Sequence, residues 1–186
     1  MKRTVALLVF LMLVLVQFGA FAEMGVQLIS GPEEETEPVS LDDFKLNADA
    51  RIDGYGILTG TSFDFVGDLI RVSNGIDYHS GEEAEFALLR MDILNTEKTS
   101  RNFLAACEVS VIYDDAYEYG GWCYQYNYDK HKERVLDSND FFGIDPMYTG
   151  HYCFGCTLPN AVVNSKAPLK MIIKLDGNEI TYNIRK

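Results

Sequence analysis

The sequence predicts an all-β domain, an antiparallel β-sandwich of about seven or eight strands. Short stretches in which apolar and polar residues alternate are separated by turn dipeptides, which is the pattern of half-buried strands in a sandwich. Tyrosine and phenylalanine, at 11 each, suit pleated sheet surfaces. No helix-length stretch after residue 22 shows an apolar repeat of 3.6 residues. Strands are therefore expected throughout.

The N-terminus has the pattern of a secretory signal peptide. Lys2 and Arg3 precede an unbroken apolar run at residues 5–16, and Ala20-Phe21-Ala22 follows with small residues at the cleavage positions. The run is shorter than the roughly 20 residues of a membrane-spanning helix. We expect residues 1–22 to be removed, the protein to be secreted to the extracellular side, and no membrane insertion after cleavage.

Residues 23–40 are expected to form an acidic flexible linker, because Gly31-Pro32 and the charged run at residues 33–38 cannot form a buried element. This leaves residues 41–186 as one domain. The formal net charge is −12, and removal of Lys2 and Arg3 makes it −14. So acidic a chain repels phosphate backbones and anionic lipid, which argues against nucleic acid and membrane surfaces as partners.

Three strands are predicted in the first half of the domain. Residues 51–58 and 61–66 are the first two, and Asn74-Gly75 is a turn dipeptide. The third covers residues 86–94. Its core face is Ala87, Leu89, Met91 and Ile93, and its other face carries Arg90 and Asp92.

The second half repeats this alternation. Residues 103–113 place Ala105, Cys107, Val109 and Val111 on one face. A short aromatic strand at residues 122–126 follows Gly120-Gly121, residues 129–140 are predicted to be irregular, and residues 148–158 form another strand. A connector at residues 160–167 holds one helical turn. Asp176-Gly177 then joins two strands in a closing hairpin.

Several of these segments resemble a known group. Residues 88–96 form a core strand that ends in Asn-Thr, and a later strand carries the pattern Pro146, Gly150, Phe154 and Leu158-Pro159 before the hairpin. This arrangement resembles the immunoglobulin-like, telokin-like β-sandwich domains of unknown function in exported bacterial proteins. The resemblance covers about residues 43–186. It implies the fold and the exported location, and it supplies no active-site residues. Many members are lipid-anchored through a cysteine, and in this chain no cysteine directly follows the apolar run of the leader.

Four cysteines, Cys107, Cys123, Cys153 and Cys156, lie in the exported part, and an even number in an oxidising compartment predicts two disulfide bonds. Cys153 and Cys156 would be about 10 Å apart in a strand and on opposite faces, too far for a local bridge. The predicted pairs are Cys123 with Cys153 and Cys107 with Cys156. An alternative is a thiol-redox or metal-handling protein that uses Cys153 and Cys156, with His151 as a further ligand.

The densest aromatic stretch gives the candidate ligand-binding residues, which are Tyr117, Tyr119, Trp122, Tyr124, Tyr126 and Tyr128. Such rings are either core residues, a protein-contact surface, or a platform for sugars. The sequence therefore predicts a binding or adhesion module whose partner is an unknown protein or glycan, with a carbohydrate-binding module as an alternative. The acidic pairs and isolated histidines match no catalytic or metal motif, so we expect no enzyme activity, no cofactor and no bound metal.

Overall fold

The computed structural model describes residues 37–67, 70–71, 77–128, 134–137 and 143–186. The predicted signal peptide, most of the predicted linker and the Asn74-Gly75 turn lie outside these residues. Within the described ranges, no helix has the length and apolar character that a membrane crossing requires.

The described residues form twelve strands and one helical turn. In chain order they are β1 (Ser40–Leu41), β2 (Asp49–Ile52), β3 (Gly56–Gly67), β4 (Ile70–Arg71), β5 (Asp77–Tyr78), β6 (Ala84–Asn95), β7 (Cys107–Tyr113), β8 (Tyr117–Tyr128), β9 (Arg134–Asp137), β10 (Thr149–Pro159), α1 (Asn160–Val163), β11 (Leu169–Leu175) and β12 (Asn178–Arg185). The all-β prediction and the single helical turn are confirmed.

Ten of these strands form one sheet in the order β1-β12-β11-β7-β8-β10-β6-β3-β2, with β9 paired to β8, while β4 and β5 pair separately. Two features correct the prediction. The strands outnumber the seven or eight expected, and β9 lies where an irregular segment was predicted. The sheet is also mixed, because β1 runs parallel to β12.

Strand β8 changes its pairing partner along its length. Residues 117–120 of β8 pair with β7, and residues 121–125 pair with β10. We call the strands on the β7 side half-sheet 1 (β1, β12, β11, β7 and the start of β8). Half-sheet 2 comprises the rest of β8 with β10, β6, β3 and β2.

The two ends of this sheet approach each other, so that the sheet curls around one core. The segment after β1 crosses between them: Phe44 N donates to Thr181 O at 3.0 Å, and Leu46 forms an isolated bridge with Gly60. The rings of Phe63 and Tyr182 are 5.4 Å apart. The main core therefore lies between the half-sheets.

The predicted core faces are confirmed in β6 and β7, with one exception. Ala87, Leu89, Met91 and Ile93 are buried in the main core, as are Val109 and Val111. Ala105 is exposed because residues 103–106 form a turn before β7 begins. Phe103 from that turn is buried instead, at 2% exposure, and packs edge-on against Tyr55.

The two strands predicted at residues 51–58 and 61–66 are divided differently. A turn around Gly54, which has φ of +69°, separates β2 from β3. β3 then continues through a register shift between Gly60 and Ser62. A bulge adds one residue to one strand and so reverses which alternate residues face the core. Leu58 faces the core before the bulge, and Phe63 and Phe65 face it after the bulge.

The closing hairpin matches the prediction. Its core residues are Leu169, Met171, Ile173, Leu175 and Ile180, all buried. Asp176 and Gly177 have φ of +50° and +84°, which two-residue hairpin turns require. The residue just before β1 binds here too, since Val39 N donates to Asn178 Oδ1 at 3.0 Å.

Candidate functional site

The outer face of half-sheet 2 carries a second apolar cluster, separate from the main core. Phe86, Leu88 and Cys153 are buried in it, and Val66, Trp122 and Tyr124 pack over them. We call these six residues the outer aromatic cluster. The outer face of a sheet is usually polar where it meets solvent, so an apolar cluster at this place is unusual.

Strand register brings the cluster together. Leu88 of β6 pairs with Gly155 of β10, which in turn pairs with Trp122 of β8. A Cβ atom on Gly155 would lie 2.3 to 2.6 Å from three atoms of the Trp122 benzo ring. The indole therefore lies across the glycine, and only a residue without a side chain allows this contact.

The rings form a continuous aromatic row. Phe86 meets Trp122 edge-on with centroids 6.2 Å apart, and Trp122 lies 5.2 Å from Tyr124. Tyr124 also shares a hydrogen bond with Tyr78, whose side chain is 44% exposed. Burial is the first cause that raises the pKa of Tyr124, followed by its interactions with Tyr78. The row thus extends from the buried Phe86 to the exposed Tyr78.

Charged pairs lie beside the aromatic row on the same face. Arg90 Nη1 donates to Asp64 Oδ2 at 2.7 Å and to Ser62 Oγ at 3.2 Å. His151 Nδ1 is 2.7 Å from Asp92 Oδ1. Register explains this position, because Arg90 pairs with Cys153 and Asp92 with His151. The face therefore combines an aromatic centre with a polar border.

The structure divides the predicted aromatic residues between two surfaces. Trp122 and Tyr124 belong to the outer aromatic cluster, whereas Tyr119 packs against the main core. Tyr117 shares the parity of Tyr119 and is 59% exposed at the start of β8. The side chains of Tyr126 and Tyr128 lie outside the described part of the structure.

Sequence reasoning missed several members of this surface. Phe86 and Leu88 alternate with the core residues of β6, so their apolar character on the opposite face was visible in the sequence. Val66 and Tyr78 gave no comparable signal, because only the pairing of distant strands brings them to the same face. Strand alternation predicts the face on which a residue lies but not its neighbours across the sheet.

The cysteines also lie on two faces. Cys156 packs in the main core and Cys153 in the outer cluster, and both belong to the unbroken strand β10. The prediction that these two residues point in opposite directions is confirmed. The structure consequently does not assemble Cys153 and Cys156 into one thiol or metal site.

Neither predicted disulfide pair fits the sheet, and none of the four cysteines is in a disulfide. Cys123 pairs in register with Phe154 and faces the main core, so the sheet itself separates it from Cys153. Cys107 and Cys156 share the core face, but β8 lies between their strands. Two strand spacings of about 4.8 Å each place them beyond the roughly 7 Å limit for a bridge.

Instead, the core faces of β7 and β8 bring Cys107 and Cys123 together. Their thiols interact directly: a hydrogen bond from Cys107 lowers the pKa of Cys123, and the same bond, followed by burial, raises the pKa of Cys107. Both side chains are half-buried. Cys156 differs, since burial raises its pKa to about 12 and its Sγ lies 3.4 Å from Gly120 O.

Across the described ranges, no three His, Cys, Asp or Glu side chains are grouped as metal ligands would be. The histidine on the outer face, His151, has Asp92 as its carboxylate neighbour.

Comparison with solved structures places the fold among bacterial β-sandwich proteins. The chain is similar to an uncharacterized β-sandwich protein from Clostridium difficile 630, with a TM-score of 0.61 and 20% identity over 83% of this chain and all of that one. It is also similar to a conserved hypothetical protein from Bacillus anthracis, with a TM-score of 0.52 and 10% identity over 76% and 95% of the two chains. No protein-family model and no curated protein matches the chain.

Proposed function

We propose that this chain is an exported, non-catalytic binding or adhesion module, and that its contact surface is the outer face of half-sheet 2. The outer aromatic cluster carries the proposal. Protein contact sites characteristically combine Trp and Tyr at the centre with Arg and other polar groups at the border. Trp122, Tyr124 and Tyr78 would supply the centre, and the Arg90–Asp64 pair part of the border.

The export proposal rests on the leader-like N-terminus. We assign the domain to the immunoglobulin-like, telokin-like sandwiches as part of the same proposal, on the motifs around Pro146 and Phe154. The partner class that we favour is a protein at the bacterial surface.

A glycan is the second candidate partner, because one specific feature favours it. Trp122 lies across Gly155, with its indole spread over the strand rather than inserted between strands. Aromatic rings held across a sheet face can stack on sugar rings, and Tyr124 would extend this platform.

Co-sedimentation with bacterial cell-wall sacculi tests the proposal and separates the two partners. One batch of sacculi keeps its surface proteins, and the other is stripped of them with protease. Retention by both batches indicates a glycan, and retention by the first batch alone indicates a protein. In either case we expect the double variant Trp122→Ala/Tyr124→Ala to bind at least about tenfold more weakly, as hot-spot truncations do.

The matched control is Tyr117→Ala, which removes an exposed tyrosine of β8 that is not part of the outer aromatic cluster. This variant should sediment like the unmodified protein. Equal sedimentation of all three proteins would exclude the outer face as the contact surface. Because Trp122 is the single tryptophan of the chain, its fluorescence provides an independent report on occupancy of the same surface.

A further inference from the structure

We propose that Cys107 and Cys123 form a reversible disulfide bond that links the two half-sheets at the place where β8 passes from one to the other. The pairing differs from both pairs that the sequence suggested. The proposal depends on three observations. The two residues lie on either side of the point where β8 changes its pairing partner, their thiols are in direct contact, and solvent reaches both.

The two cysteines lie on opposite sides of the change in pairing. Cys107 belongs to half-sheet 1 through its pairing with Leu175, and Cys123 belongs to half-sheet 2 through its pairing with Phe154. The register Ser110↔Gly120, when extended toward the start of β7, places Cys107 opposite Cys123. Residues opposite each other on neighbouring strands have Cα atoms about 4.5–5.5 Å apart, within the range that a disulfide spans.

Close contacts show that the strands stay together after their ladder ends. A Cβ atom on Gly121 would lie 2.6 Å from Val109 Cγ1 and 2.6 Å from Gly155 O. Gly121 therefore allows β7, β8 and β10 to approach closely next to the cysteine pair. The side chains of Cys107 and Cys123 both face the core and interact with each other.

The chemistry is a thiol–disulfide exchange with a small disulfide as the oxidant, such as oxidised glutathione. The Cys123 thiolate attacks one sulfur of the oxidant, and the first glutathione leaves as a thiolate. Cys107 then attacks the Cys123 sulfur and displaces the second glutathione. Two electrons pass from the cysteine pair to the oxidant, and the two thiol protons end on the two released glutathiones. Because Cys107 and Cys123 are half-buried rather than fully buried, the oxidant can reach them.

Tryptic mapping separates this pairing from the alternatives. Residues 102–130 contain Cys107 and Cys123 with no Lys or Arg between them, and residues 135–166 likewise contain Cys153 and Cys156. The full chain is reduced, oxidised with a glutathione redox buffer, alkylated and digested. We expect the 102–130 peptide to lose two hydrogens and to resist alkylation until it is reduced again. Alkylation of Cys107 and Cys123 after oxidation, or a bond between the two peptides, overturns the proposal.

Thermal unfolding measures the link between the half-sheets. The oxidised protein should melt roughly 5–10 °C above the reduced protein, because the bridge restricts the unfolded chain. The double variant Cys107→Ser/Cys123→Ser should lose this redox dependence. The control Cys153→Ala, in a cysteine outside the pair, should keep it. A Tm that is the same in both redox states of the unmodified protein contradicts the proposed link, and the peptide map gives its answer even if a variant fails to fold.

Discussion

Gly155 is the residue on which the packing of the outer aromatic cluster depends. The Trp122 ring covers the position that a side chain would occupy, so a methyl group there would overlap the ring. The glycine does not supply unusual backbone freedom, since its φ is not positive. Its role is to leave space for the Trp122 ring. Replacing the glycine with a larger residue therefore tests this packing.

We expect Gly155→Ala to lower the free energy of unfolding by about 2 kcal/mol, because inserting a methyl group into a packed contact forces the ring to move. The displaced Trp122 should become more exposed, which shifts its fluorescence maximum to longer wavelength. Urea unfolding, followed by this single tryptophan, gives both quantities.

The matched control is Gly120→Ala, in the neighbouring strand β8. A Cβ atom at Gly120 would have no atom within 4 Å. This substitution should leave stability unchanged or raise it by about 0.5 kcal/mol, through the reduced freedom of the unfolded chain. If the two variants lose stability equally, Trp122 does not lie across Gly155 as described.

At the scale of elements, the β11–β12 hairpin combines two signals that agree. Alternation places its apolar residues in the core, and the turn dipeptide Asp176-Gly177 adopts positive φ at both positions. Agreement between turn and alternation determines the register, because a slip by one residue would move every core side chain to the outside.

We expect substitutions of Gly177 to follow the cost of positive φ. Gly177→Asn should cost little, since asparagine tolerates this region, whereas Gly177→Val should lower the free energy of unfolding by about 2 kcal/mol. Chemical denaturation of both variants provides the measurement. Gly67→Val is the control, because Gly67 has open space around it and lacks positive φ. Equal stability of the Gly177→Asn and Gly177→Val proteins would contradict the turn.

At the scale of the whole molecule, the core holds several ionisable groups in their neutral form. Burial raises the pKa of Cys156 to about 12, and it also raises the pKa of Tyr55 and Tyr152 above that of ordinary tyrosines. Well below pH 9 these groups are neutral in both the folded and the unfolded chain. Above pH 9 the Cys156 thiol ionises in the unfolded chain before it does so in the folded chain. Rising pH therefore favours unfolding.

We accordingly expect the free energy of unfolding to fall as pH rises above 9. The Cys156 contribution approaches about 1.4 kcal/mol per pH unit between the unfolded and folded pKa values, and the two tyrosines add to the loss above pH 10. Denaturation curves at pH 8 to 11, in the presence of a reductant, measure the slope. Cys156→Ser is the control, since serine does not ionise here, and its slope should be smaller. An unchanged slope would mean that another group causes the loss.

The sequence alone determined the all-β fold, the core faces of β6 and β7 from residue 107 onward, the hairpin and the opposed directions of Cys153 and Cys156. These depend on alternation and turn residues, which are local properties of the chain. The bulge after Gly60 could not be read in this way, because a single extra residue changes the face without changing the composition.

Only the tertiary structure decided which strands are neighbours, and most of the candidate site depends on that. Register across β3, β6, β10 and β8 assembled the outer aromatic cluster, and the register of β7 with β8 brought Cys107 to Cys123 instead of to Cys156. Parity tells which face a side chain occupies, but many pairings satisfy the same parity. Long-range packing selects one of them, so the expected pair Cys107–Cys156 does not fit although both residues face the core. The expected pair Cys123–Cys153 does not fit because the two residues lie on opposite faces of the sheet, whereas the opposed directions of Cys153 and Cys156 were predicted correctly.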